Sequence, residues 1–200
     1  MEEKYNKVLS LFKGTDPNRE FLNNPFIAGD YAMATDAFCL VLFDKTLVEG
    51  IGDPKNYDPK NVLSIIPKER NISFLITVET LKLAISKLPE SQDLCNCCDG
   101  TGKVKWEFLH HKKDGDCPEC NGKIAPQLCS KIKIGTSVFI GTRIKKLIKT
   151  AEILGVEEIS LVYQTTANKS SVFKIGTVEV MIMPSMYDAF DDMLYFTITI

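Results

Sequence analysis

Two cysteine pairs, Cys95 with Cys98 and Cys117 with Cys120, constrain this chain more than any other feature. They form the pattern C-x2-C-x18-C-x2-C, the spacing of a four-cysteine zinc site. Two residues between paired cysteines let a tight turn aim both thiolates at one ion, and two such turns complete a tetrahedron. Glycine follows each pair, in Asp99-Gly100-Thr101-Gly102 and in Asn121-Gly122, where positive φ wraps backbone amides around the sulfurs. Six of the seven cysteines lie between Cys95 and Cys129. The total is odd and the N-terminus, Met1-Glu2-Glu3-Lys4, has no basic region followed by an apolar stretch. Together these argue against a secreted disulfide framework. Four thiolates leave no open coordination position, so one structural Zn2+ is expected and not a catalytic one.

Other nearby residues are weaker ligand candidates. Cys97 is only one residue from Cys95, a poorer geometry, and reads as a spectator thiol. His110 and His111 lie between the pairs and read as loop or strand-end residues. Cys129 is expected to pack beneath the knuckle, and Cys39, in an apolar run, to be core.

Composition supports an ordinary globular chain, with 44% hydrophobic and 25% charged residues and a mean hydropathy of -0.02. No apolar run reaches the ~18–20 residues of a membrane span, so a cytoplasmic protein without membrane contact is expected. The net charge of -2 is unevenly spread. Residues 1–100 balance to -4 and residues 151–200 to -5, whereas residues 101–150 carry 11 basic and 4 acidic side chains. A basic stretch in an acidic chain suits phosphate contact, and it equally suits a solvated lysine-rich surface.

Periodicity gives an α+β class with packed helices on an antiparallel sheet. Tyr5, Val8, Leu9 and Phe12 mark one helix face. Strands are expected at 26–28 and 31–43 with a turn at Gly29-Asp30, and 44–71 reads as loop with short strands. A strand at 72–77 leads to a helix at 78–88 that Pro89 stops. The knuckle spans 92–128, with a strand from Lys103 to Phe108, and divides a discontinuous domain of residues 1–91 and 129–200. Beyond it come a strand at 131–140 and a helix at 143–154, with Thr142 as N-cap and Gly155 past its end. Alternation at Ile159-Leu161-Tyr163, Val178-Val180-Ile182 and Leu194-Phe196-Ile198-Ile200 predicts three more strands.

Two resemblances bear on function. The knuckle residues Cys95-Asn96-Cys97-Cys98-Asp99-Gly100-Thr101-Gly102 and Cys117-Pro118-Glu119-Cys120-Asn121-Gly122 resemble the CxxCxGxG motifs of DnaJ-type cysteine-rich domains, departing at Ile124 where the pattern has glycine. No J-domain signature accompanies them, so no chaperone activity follows. Elsewhere, Ala34-Thr35-Asp36 is similar to the ATDG turn of bacterial sliding clamps, with Ala37 in place of glycine. Residues Asn61 to Pro67, running into a strand and a helix, look like the clamp element that opens a domain, and Met183-Pro184 resembles the clamp's terminal M-P. This resemblance implies a clamp-like scaffold without chemistry of its own, whose helices face duplex DNA and whose partners include replication proteins. Arg143, Lys145, Lys146 and Lys149 are the residues it offers for phosphate contacts. A closed ring requires self-assembly into a homo-oligomer.

The chain has no GxGxxG, P-loop, HExxH or recognisable Ser-His-Asp or Cys-His signature, so no catalytic residue is assigned and no enzyme is expected. Asp188, Asp191 and Asp192 read as a solvated turn between strands. The alternative to a DNA-associated clamp is a zinc-knuckle module that holds a protein partner without nucleic acid.

Overall fold

A computed structural model describes residues 2–15, 19–52, 60–88, 95–124, 130–185 and 194–199. Helix α1 (Glu2–Phe12) forms where the sequence places it. Tyr5, Val8, Leu9 and Phe12 make a buried stripe, and Glu2 and Glu3 sit in the first turn, where the helix dipole favours negative charge. It leads into three strands, β1 (Phe26–Ala28), β2 (Tyr31–Thr35) and β3 (Cys39–Asp44). The single strand expected at 31–43 is broken by a turn at Asp36. Its carboxylate accepts from the N–H groups of Phe38 at 2.9 Å and Cys39 at 2.7 Å, giving the backbone an alternative to the ladder. The next stretch, expected as loop with short strands, holds a 3-10 turn (Lys45–Leu47) and a short helix α2 (Lys60–Ile65).

Strand β4 (Phe74–Thr77) runs directly into α3 (Val78–Ser86), whose N-cap Thr77 accepts from the Thr80 N–H at 3.1 Å. Hairpin β5 (Lys103–Phe108) with β6 (His111–Asp116) follows. A second hairpin, β7 (Lys131–Ile134) with β8 (Ser137–Ile140), replaces the one strand expected at 131–140, because Gly135 at φ 59° turns the chain. From β8 the chain enters α4 (Gly141–Leu154) without a side-chain cap, so Thr142 lies inside the first turn and is not the N-cap, while Gly155 ends the helix as expected. Strands β9 (Glu158–Tyr163), β10 (Ser171–Ile175), β11 (Val178–Ile182) and β12 (Leu194–Ile198) complete the fold.

Seven strands form one antiparallel sheet in the order β1-β2-β3-β11-β10-β9-β4. A three-stranded sheet, β12-β7-β8, pairs β12 parallel to β7, and β5-β6 stand apart as a two-stranded sheet. On one face of the large sheet, α4 packs between α1 and α3. The core lies between these layers, with Phe12, Phe139, Phe173, Leu81 and Leu147 fully buried. The opposite face buries Met33, Leu40, Leu42, Val172 and Met181, with Val62 of α2. Strands β2 and β3 therefore bury both faces. The α+β class and its antiparallel sheet agree with the sequence. Pro89, Cys129, Asp188, Asp191, Asp192 and Ile200 lie outside the described residues.

Candidate metal centre and basic helix layer

The four-cysteine pattern converges in space. Cys95 and Cys98 sit in the turn before β5, and Cys117 and Cys120 in the turn after β6. The antiparallel ladder, with Lys103 opposite Asp116, brings these turns together. Cys117 donates its N–H to the Gly102 carbonyl at 2.8 Å, joining one turn to the other. Within the turns, Gly102 N–H donates to Cys98 Sγ at 3.3 Å and Thr101 N–H to the Cys98 carbonyl at 2.9 Å. Gly102 has φ 71°, and a Cβ there would collide with the Gly122 backbone, so glycine is required where the turns meet.

The four Sγ atoms lie within 4.8 Å of one another. Cys95 and Cys117 are separated by 3.7 Å, Cys98 and Cys120 by 3.6 Å. These distances are far beyond a disulfide of about 2.05 Å. They match the ~3.8 Å edge of a tetrahedron of sulfurs about 2.3 Å from a zinc ion. The cluster thus has the geometry and donor set of a metal site. It is not a DnaJ-type knuckle, whose second motif the chain leaves incomplete at Ile124.

The thiols share their protons unequally. Burial alone would raise Cys117, but the N–H groups of Cys120 and Glu119 and the thiols of Cys97 and Cys95 outweigh it and hold Cys117 at about 6. Burial and the thiols of Cys98, Cys117 and Cys95 push Cys120 up to about 12. A metal must displace such protons, so uptake releases them. Cys97 is exposed beside the cluster, where the neighbouring Cys117 thiol raises it to about 11. His110 and His111 belong to the far end of the hairpin, with His111 in β6, and are exposed. Cys39 is a core thiol, pushed up to about 12 by burial, with Asp36 adding to the effect.

The basic residues of α4 divide into two kinds. Lys145 and Lys149 are exposed; Lys149 stands 3.5 Å from Glu152, and Lys145 has no ion pair among the described residues. Arg143 and Lys146 are tied to the Asp36 turn. Lys146 Nζ meets Asp36 Oδ2 at 2.6 Å, with about a quarter of each side chain exposed. Arg143 donates to the Met183 carbonyl at 2.6 Å and lies 4.6 Å from the centre of the Phe38 ring. Opposed by burial, the Lys146 ammonium and the N–H groups of Cys39 and Phe38 hold Asp36 below its ordinary value. Sequence reading missed the Asp36–Lys146 pair because the two residues are 110 positions apart. Helices α1, α3 and α4 together carry seven basic and four acidic side chains, a balance of +3 in a chain of net charge -2.

No protein-family model matches the chain, and no curated protein sequence is similar to it. Solved structures are similar in fold. The sliding clamp from Bacillus subtilis aligns at 11% identity with a TM-score of 0.54, over 92% of this chain and 62% of the clamp. The DNA polymerase III subunit beta from Pseudomonas aeruginosa aligns at 12% and 0.53, over 94% and 66%. The Helicobacter pylori beta clamp, solved bound to a DNA ligase peptide, aligns at 14% and 0.52, over 92% and 62%. The chain spans less than two thirds of the length of these clamps and shares their α+β fold.

Proposed function

We propose that this protein is a non-enzymatic, clamp-like scaffold that associates with duplex DNA and carries one structural zinc ion. The observation that carries the reading is the positive balance of the three-helix layer on a clamp-like sheet in an otherwise acidic chain. Lys145 and Lys149 are the contacts it assigns to phosphates, because they are exposed, whereas Lys146 and Arg143 chiefly anchor α4 to the Asp36 turn. Such contacts are independent of base sequence and weaken with salt. A homo-oligomer is the form in which this fold would encircle DNA, a clamp-like assembly the reading includes. A clamp solved with a DNA ligase peptide supports a replication protein as the further partner. Zinc is supported by four thiols at tetrahedral spacing, a donor set that favours soft metals over hard cations.

The test is duplex binding by fluorescence anisotropy across a salt series, with sedimentation reporting the oligomer. Binding at about 50 mM salt should be lost by about 200 mM. The pair Lys145→Glu with Lys149→Glu should lower affinity at least tenfold at low salt without changing thermal stability. Affinity unchanged by that pair, or no binding at any salt, would sink the DNA reading in favour of a protein-binding zinc module.

A further inference from the structure

The hairpin β5–β6 has two unlike faces. Side chains alternate across a strand, so the register sets Lys103 with Asp116, Lys105 with Asp114 and Glu107 with Lys112 on one face. Each is an acid–base pair, and Lys103–Asp116 and Lys112–Glu107 are ion pairs in the structure. The other face carries Val104, Trp106, His111, Lys113 and Gly115 and no carboxylate. Lys113 stands directly opposite Trp106 and has no ion pair among the described residues. This face is therefore aromatic and cationic, while the charges behind it are matched.

Trp106 is the unusual residue. It is 52% exposed, and among the described residues the two strands pair with no other strand. Its position is nevertheless defined, because the indole lies against the backbone of Gly115; a Cβ there would sit 2.9 Å from Nε1. At the turn, Leu109 is 75% exposed. A defined, exposed indole beside an unmatched ammonium is the arrangement that stacks an unpaired base and holds the neighbouring phosphate. An apolar peptide would leave the ammonium without a partner, and a duplex hides the base faces that an indole can stack upon.

We propose that the Trp106 face of the hairpin binds single-stranded nucleic acid, with a base stacked on Trp106 and a phosphate held by Lys113. This goes beyond duplex contact by the helix layer and uses none of its residues. The hairpin ends on the cysteine cluster proposed to hold zinc, so the protein is tested as purified, with its zinc content measured.

Trp106 is the chain's only tryptophan, so its fluorescence reports the contact directly. Titration with oligo(dT) of about 20 nucleotides at about 50 mM salt should quench the emission saturably. Binding followed by anisotropy of a labelled strand should weaken at least about fivefold in Trp106→Ala and in Lys113→Glu. Trp106→Phe, which retains a ring, should lose less, and Lys105→Glu on the opposite face should lose less than Lys113→Glu. Oligo(U) run in parallel tells an RNA-binding face from a DNA-binding one, and quenching by either supports the proposal. The Lys145→Glu, Lys149→Glu protein should keep the quenching, which separates this site from the duplex reading. The proposal is overturned by equal quenching with duplex, or by strand binding that Trp106→Ala and Lys113→Glu leave intact. Quenching by poly-glutamate and by neither strand would overturn it in favour of an acidic protein partner, and absence of quenching by any probe would overturn it outright.

Discussion

In the clamp-like body, Phe12, Phe26, Phe139 and Phe173 are wholly buried and each helix turns an apolar stripe to the sheet. In the hairpin β5–β6, the largest side chain is Trp106, half in solvent, and β6 reads His-Lys-Lys-Asp-Gly-Asp. No residue of β6 is a strong strand former, and a lone two-stranded hairpin is marginal in water. The body is ordered by removing apolar surface from water, at about 25 cal/mol per Å². The hairpin has no such core, and four clustered cysteines that could hold a metal ion lie at its open end. A metal held there, as proposed, would cross-link the ends of a short segment that lacks a core, leaving its side chains free to face outward.

The largest expected effect separates the two regions. With zinc bound as proposed, its removal by a chelator would forfeit binding energy on the order of 10–16 kcal/mol, and Cys117→Ser, which takes one of four thiols, a part of it. The β5–β6 hairpin should unfold, seen as a red shift and loss of anisotropy in Trp106 emission, while the body keeps its cooperative thermal transition. A body that melts together with the hairpin would end the division drawn above. Full zinc content and stability in Cys117→Ser would remove the ligand assignment.

A smaller effect should touch the body alone. Asp36→Asn weakens the bond to Lys146 and the turn that splits β2 from β3, at a cost of about 1–3 kcal/mol. Because the folded state holds Asp36 below its ordinary value of 3.8, its contribution is complete above that value. It is lost as pH falls through the lowered pKa. Melting temperatures followed from about pH 7 to about pH 2 should therefore converge for the wild-type and Asn proteins at the acid end. Parallel curves would show that Asp36 acts through shape and not charge. Zinc content should be the same in both.

The smallest effect is a gain. Ala37 has φ 75°, a left-handed conformation that costs a residue with a Cβ about 1–2 kcal/mol. Ala37→Gly relieves this but adds freedom to the unfolded chain, leaving a net stabilisation of about 0.5–1 kcal/mol, measurable as a rise in the denaturation midpoint of the body. A fall would mean that the Ala37 methyl makes a packing contact worth more than the strain.

Local chemistry settled much of this protein in advance. The stripe Tyr5-Val8-Leu9-Phe12, the helix ending at Gly155 and the tight turn of each cysteine pair act over a few residues, and each formed as its pattern requires. Ala34-Thr35-Asp36 also carried the likeness to the clamp fold, since the turn is made by Asp36 and its next neighbours. Other features depended on contacts that no local pattern contains. Strand β6 exists because β5 and the paired cysteine turns impose it, against its own propensities. The pairing of Lys146 with Asp36, which separates it from the exposed Lys145 and Lys149, arises only when α4 crosses the sheet. The two faces of the hairpin were likewise hidden, because a shift of one residue in register would have exchanged Lys113 and Lys112 opposite Trp106. Sequence determined where most elements and the cysteine turns lie, because those forces are short in range. Tertiary structure decided which charges stay free for a partner, because that depends on neighbours brought together only by folding.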